Sequence, residues 1–207
     1  TANAIFQNLD LLQYHKPKYI LILAGDHIYK MDYRDILAFH KQQEAQVTIA
    51  STFVSLPQAR RFGVMKADDN FRVTCFREKP DAPCPSPNSP DMALVSMGIY
   101  LFETELLLQL LHEDAQHITS NHDFGRDIIP NLIHNHPVYA FPFYDFEKNT
   151  TLYWKDVGTI DTYWKANMDL IGVSPELNLY DLNWPIRTGS TTHPPAKFIF
   201  NDEGKRG

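Results

Sequence analysis

KYILILAGDHIYKMDY, residues 18–33, decides how the rest of the chain is read. Lys18 to Ala24 is a near-continuous apolar run, the pattern of a strand covered on both faces in a parallel sheet. Gly25 stops the run and a carboxylate, Asp26, stands directly after it. An isolated Gly-Asp is more often a turn than a site. Position shifts that balance, because ligands of doubly wound sheets lie beyond the carboxyl ends of the parallel strands, where Asp26 would stand.

Outward from this stretch, the periodicities alternate. Ile5, Leu9 and Leu12 predict a helix over residues 2–14 before Pro17. Asp32 can cap a second helix to about residue 44, and Val47 to Val54 reads as the next strand. Helix, strand, helix, strand argues for an α/β sheet with helices on both faces. From residue 63 two alternating segments, 63–67 and 71–77, flank Asp68-Asp69-Asn70 and predict a β-hairpin. Five prolines between Pro80 and Pro90 mark a surface loop. A strand over Ala93–Phe102, a helix over 104–112, another starting near Asp123, strands at Val138–Phe143 and Trp154–Val157, and a helix over 160–172 follow. Residues 174–195 read as irregular.

Composition bounds the function. A chain of 207 residues that is 43% hydrophobic can bury one substantial core. Its net charge of −6 provides no basic stripe for a nucleic-acid backbone or an anionic membrane, so any phosphate must be met by a few local cations. Two cysteines, Cys75 and Cys84, are too few for a disulfide scaffold and point to a reducing, cytoplasmic setting. The longest apolar run is far shorter than the roughly 20 residues of a membrane helix, and no leader pattern opens the chain.

Candidate site residues gather at predicted strand ends. Asp156 in YWKDVGT is a second carboxylate with a glycine two residues on. Brought together with Asp26, it would repel by roughly 4 kcal/mol at contact distance unless a cation such as Mg²⁺ lay between them. Glu78-Lys79-Pro80 ends the hairpin. Lys79 could supply a point charge to a phosphate and Glu78 could accept from sugar hydroxyls, although an exposed Glu-Lys pair is the commoner outcome. Ser96-Met97-Gly98 places a glycine inside a strand, where a ligand or another backbone often comes close, and Gly63 opens the hairpin. Asp123-Phe124-Gly125 resembles a kinase triplet, but without the other kinase motifs Asp123 reads as a helix N-cap. The nine histidines show no metal-ligand pairing. Tyr153, Trp154, Tyr163 and Trp164 read as core aromatics.

LAGDHIYKMDY, FGVM, the EKP after the hairpin, SMGIYLF, SNHDFGRDIIP, YWKDVGTIDTYWKANMDL and YDLNWPIRT, in this order, resemble the bacterial glucose-1-phosphate adenylyltransferase family over almost the entire chain. The resemblance implies an α/β fold of the nucleotide-diphospho-sugar transferase type, Rossmann-like, with a mixed, mainly parallel sheet. It implies transfer of an adenylyl group from ATP to α-D-glucose 1-phosphate, giving ADP-glucose and diphosphate for glycogen synthesis. By this resemblance Asp26 is catalytic and, with Asp156, metal-binding, with Mg²⁺ as the cofactor. Gly63, Glu78, Lys79 and Ser96 match glucose 1-phosphate positions, with Lys79 on the phosphate. Family members are allosteric homotetramers, begin with a glycine-rich nucleotide loop and continue into a left-handed β-helix. Residues 1–173 therefore correspond to the later part of the catalytic domain, and 174–207 to a linker and the start of that helix. These residues alone are expected to show little turnover. The alternatives are a pyrophosphorylase for UTP or dTTP, a nucleotide-sugar glycosyltransferase, a non-catalytic regulatory subunit of the same fold, and a structural fragment whose sheet edge self-associates.

Overall fold

The computed structural model describes residues 1–87, 89–182 and 184–187. The chain divides into two units, Thr1–Leu177 and Asn178–Gly207. All regular elements of the described residues lie in the first. They run α1 (Ala2–Phe6), α2 (Leu9–His15), β1 (Tyr19–Ile22), β2 (His27–Tyr29), α3 (Tyr33–Gln42), β3 (Val47–Ser55), α4 (Leu56–Ala59), β4 (Gly63–Ala67), β5 (Val73–Glu78), β6 (Met92–Glu103) and α5 (Thr104–Gln116). A π-helical turn at Phe124–Ile128 leads into α6 (Ile129–Leu132), followed by β7 (Val138–Pro142), β8 (Tyr144–Asp145), β9 (Thr150–Thr151), β10 (Trp154–Asp156) and α7 (Ile160–Leu170). The expected β-helix start at residues 188–207 lies outside the described residues.

The main sheet has six strands, ordered β5-β4-β6-β3-β7 with β1 also on β6. β1, β3, β4 and β7 run one way, while β5 and β6 run against them. The sheet is thus mixed: four of its six strands share a direction, yet of its pairings only β3 with β7 is parallel. The long strand β6 organises it. β3 pairs along one edge of β6, and on the other edge β1 takes Tyr100 to Glu103 while β4 takes Leu94 and Val95. Ser96 to Ile99 are left between them. β6 also bulges there, because only Ala50 separates the partners of Tyr100 and Ser96 on β3. A bulge re-aims side chains and ends pairing locally, which opens a notch in the sheet. The C-terminal end of β1 and the first residue of β4 both point into that notch.

The alternation of β3 and β6 sends side chains to two cores. Val47, Ile49, Tyr100 and Phe102 pack with α1, α5 and the π-helical turn, and Ala50, Ile99 and Leu101 pack with α3. Helices therefore cover both faces. Phe102 and Phe124, both fully buried, meet at 5.6 Å between ring centroids. Burial of such a ring stabilises by roughly 2–3 kcal/mol. Asp32 caps α3 through its side chain, which accepts from the Arg34 amide, and Pro130 sits in the first turn of α6.

Three expectations need correction. The apolar run at 18–24 is not part of a parallel ladder: among the described residues β1 pairs with β6 alone, antiparallel, although both of its faces are covered, Ile20 and Ile22 by one core and Tyr19 and Leu21 by the other. With a partner on one side only, its end is free to turn into the notch. The helix over 2–14 breaks at Gln7-Asn8, where Asn8 takes the N-cap position of α2 while its side chain donates back to the Ala4 carbonyl. Tyr163 and Trp164 are not core residues. They are more than half exposed, because α7 buries only Ala166.

Candidate active site

A second small ladder completes the notch. β2 pairs antiparallel with β10, setting Asp156 opposite His27, and the Val157 amide donates to the Asp26 carbonyl at 3.2 Å. This register, invisible in the spacing of residues 26 and 156, makes the two carboxylates neighbours. Oxygens of Asp26 and Asp156 and a ring nitrogen of His27 all lie within 4.8 Å of one another. Asp26 is 64% exposed at its side chain, whereas Asp156 is 19% exposed. The Gly158 amide donates to Asp156 Oδ1 at 2.9 Å, and the Arg61 guanidinium pairs with Oδ2 at 3.3 Å.

This donor set suits a divalent cation, with two carboxylates supplying hard oxygen ligands. His27 suits it less. Trp154 Nε1–H donates to His27 Nδ1 at 3.4 Å, which leaves the ring proton on Nε2, the nitrogen facing Asp26 Oδ1 at 3.7 Å. In that tautomer Nε2 donates to the carboxylate, and ligation through it would require loss of that proton or of the Trp154 bond.

The opposite wall comes from the hairpin and the π-helical turn. Gly63 pairs with Glu78 across the β4–β5 ladder. The Lys79 amide donates to the Phe62 carbonyl at 3.1 Å, and Lys79 takes a left-handed backbone, φ 45°. Lys79 Nζ lies 3.7 Å from Glu78 Oε1. Glu78 is held between two glycines: a Cβ on Gly125 would stand 2.5 Å from its Oε2, and one on Gly63 3.0 Å from the same atom. Burial pushes the Glu78 carboxyl above its usual range, opposed by Lys79 and reinforced by Asp123. Asp123 caps the turn by accepting from the amides of Gly125 and Arg126. Burial opposes its ionisation, yet the Arg126 amide, the Thr1 hydroxyl and the Gly125 amide together hold its carboxyl below the usual range.

The bulge of β6 forms the floor. Gly98 adopts φ +68°, and its amide donates to Ser96 Oγ at 3.1 Å. Ser96 Oγ donates in turn to the Tyr100 hydroxyl at 3.4 Å. Burial pushes the Tyr100 phenol up to about 12, so it stays protonated at neutral pH.

These walls enclose a cleft of about 600 Å³. Asp26, Gly63, Glu78, Lys79, Ser96 and Asp156, drawn from five separate stretches of sequence, all line it. Sequence reasoning missed His27, Arg61, Tyr100 and Gly125, which line it too. The N-cap role read for Asp123 holds, and the same triplet also forms a wall of the cleft. Its glycine was a signal, since an N-cap explains Asp123 but not why Gly125 follows.

The nucleotidyl transferase family model matches residues 1–172. The chain is 54% identical over its whole length to a glucose-1-phosphate adenylyltransferase of Nitrosococcus oceani, covering 49% of that protein. It is 53% identical to the enzyme of that name from Hydrogenovibrio crunogenus and 52% to that of Methylococcus capsulatus, again over the whole chain and 49% of each relative. The chain thus spans about half the length of the curated relatives it matches.

Proposed function

The chain belongs to the nucleotidyl transferase family, and from that premise we propose that it forms the sugar-phosphate side of a glucose-1-phosphate adenylyltransferase site. The reaction is ATP plus α-D-glucose 1-phosphate to ADP-glucose plus diphosphate. The observation that carries this reading is the convergence of Glu78, Lys79 and Gly63 on one wall and Ser96 on the floor of a cleft whose other wall holds Asp26 and Asp156.

Lys79 holds the phosphate, and the Glu78 carboxyl, which burial raises and Lys79 partly opposes, accepts from sugar hydroxyls. Gly63 and Gly125 leave room for the Phe76 ring and the Glu78 carboxylate, which fixes Glu78 in the wall that faces the sugar. Asp26 and Asp156 hold Mg²⁺, which when bound would offset the charge on the diphosphate as it leaves. The protein's task is then orientation and charge placement, with no covalent intermediate on the chain. On the family resemblance we also expect the complete protein to be a cytoplasmic homotetramer.

The test is product formation by the full-length chain. Purified protein given ATP, glucose 1-phosphate and Mg²⁺ is expected to release diphosphate and ADP-glucose, and Asp26→Asn to slow the release of both by roughly 10³-fold. Diphosphate release with UTP or dTTP but not with ATP would overturn the assignment of the nucleotide. Release of a free nucleoside diphosphate instead would overturn the reaction class.

A further inference from the structure

Among the described residues lining the cleft, only Arg61 and Lys79 carry a permanent positive charge on their side chains. Their backbones are neighbours, because the Lys79 amide bonds to Phe62, the residue after Arg61. Arg61 follows α4 in a tight turn closed by its amide to the Gln58 carbonyl at 3.1 Å. Its guanidinium lies 5.9 Å from the Phe62 ring centre, and Phe62 rests on Trp154 at 5.1 Å. The aromatic pair braces the stem without enclosing the head group, whose side chain is 48% exposed.

Arg61 engages Asp156 Oδ2, while Asp156 Oδ1 is already committed to the Gly158 amide. A divalent cation shared with Asp26 would bring a second positive charge to the carboxylate that Arg61 already neutralises, and the two therefore compete for Asp156. Arginine matches phosphate with a fork of parallel N–H donors, so a guanidinium released from the carboxylate has a ready partner in an anionic substrate.

We infer that Arg61 is a second phosphate-binding residue that exchanges between Asp156 and the substrate phosphate, coupling cation binding to phosphate binding in one cleft. The inference rests on the site reading proposed above. By linkage, whatever draws Arg61 from Asp156 favours the cation, and the cation favours phosphate capture to the same degree.

The experiment uses the full-length chain, with Mn²⁺ alone as the cation probe read by its electron paramagnetic resonance signal, and glucose 1-phosphate binding read by calorimetry. Arg61→Ala is expected to bind Mn²⁺ about two- to five-fold more tightly, the scale of a partly exposed ion pair. The same variant is expected to bind glucose 1-phosphate roughly ten-fold more weakly, and Arg61→Lys to fall between it and the parent. The opposite signs are the signature. If Arg61→Ala weakens both, Arg61 merely positions Asp156 and the inference fails. Tighter Mn²⁺ with unchanged glucose 1-phosphate binding, or no change in either, overturns it as well. A parent that does not bind glucose 1-phosphate, or whose Mn²⁺ binding survives Asp156→Asn unchanged, overturns the underlying site reading instead.

Discussion

Glu78 and Asp26 face one cleft from opposite kinds of support. Glu78 is 23% exposed at its side chain and wedged against the backbone of two glycines, whereas Asp26 is 64% exposed and a Cβ on the preceding Gly25 would meet nothing within 4 Å. One carboxylate is fixed by packing before anything binds, and the other is left free to be organised by what it binds. The difference fits the two tasks: recognising a fixed pattern of hydroxyls rewards rigidity, while holding a cation whose other ligands arrive with the substrate does not require it.

The comparison breaks first at Asp26. Asp26→Asn is expected to lower kcat by roughly 10³-fold, several kcal/mol of lost charge stabilisation, while glucose 1-phosphate affinity stays within about three-fold of the parent. A large loss of sugar-phosphate affinity would show that the two walls are not separable.

Next come the glycines. Gly125→Ala drives a methyl toward Glu78 Oε2, and overpacking of about 1–3 kcal/mol is expected to weaken glucose 1-phosphate roughly ten- to hundred-fold. Gly25→Ala, in open space, is expected to change unfolding free energy by less than about 0.5 kcal/mol. Equal responses in a calorimetric titration and a denaturant melt would erase the contrast.

Glu78→Gln sharpens it further. Because burial raises the Glu78 carboxyl, its ionised form costs stability at neutral pH, a cost relieved as pH falls through the raised value. The amide is therefore expected to increase stability by less than about 1 kcal/mol while weakening sugar-phosphate binding about ten-fold. A variant that is both less stable and a weaker binder would assign Glu78 a structural role.

His40 is a control away from both walls. It is 1% exposed, its Nδ1 shares a hydrogen bond with Thr48 at 2.8 Å, and its Nε2 has no partner among the described residues. Burial lowers it from 6.5 to about 4. The neutral ring thus contributes stability that is complete above its unfolded value and is lost as pH falls from 6.5 toward 4. Loss of roughly 3 kcal/mol is expected over that window. Thermal melts across it should show a fall that His40→Leu flattens, with no change in glucose 1-phosphate affinity at neutral pH.

The elements were legible in the sequence where one period ran unbroken. β3, the β4–β5 hairpin and α3 with its Asp32 cap lie within a residue or two of where alternation and capping put them. β2 was not legible, because His27-Ile28-Tyr29 becomes a strand only by pairing with Trp154 to Asp156, the nearest pair, Tyr29 with Trp154, lying 125 residues apart. That long-range ladder is also what joins Asp26 to Asp156, so the site's residues could be named from motifs while their proximity could not. The bulge that shapes the floor depends on a mismatch between β3 and β6 and is encoded in neither strand alone. Arg61 was invisible for a similar reason: its partner, Asp156, is 95 residues on.

The most direct test of the account is calorimetric titration of glucose 1-phosphate into the full-length chain beside Lys79→Ala. The account predicts saturable binding at one site per chain, weakened at least ten-fold or lost in the variant. Binding of equal affinity in both would contradict it, because the phosphate would then be held somewhere other than the wall built from Glu78 and Lys79.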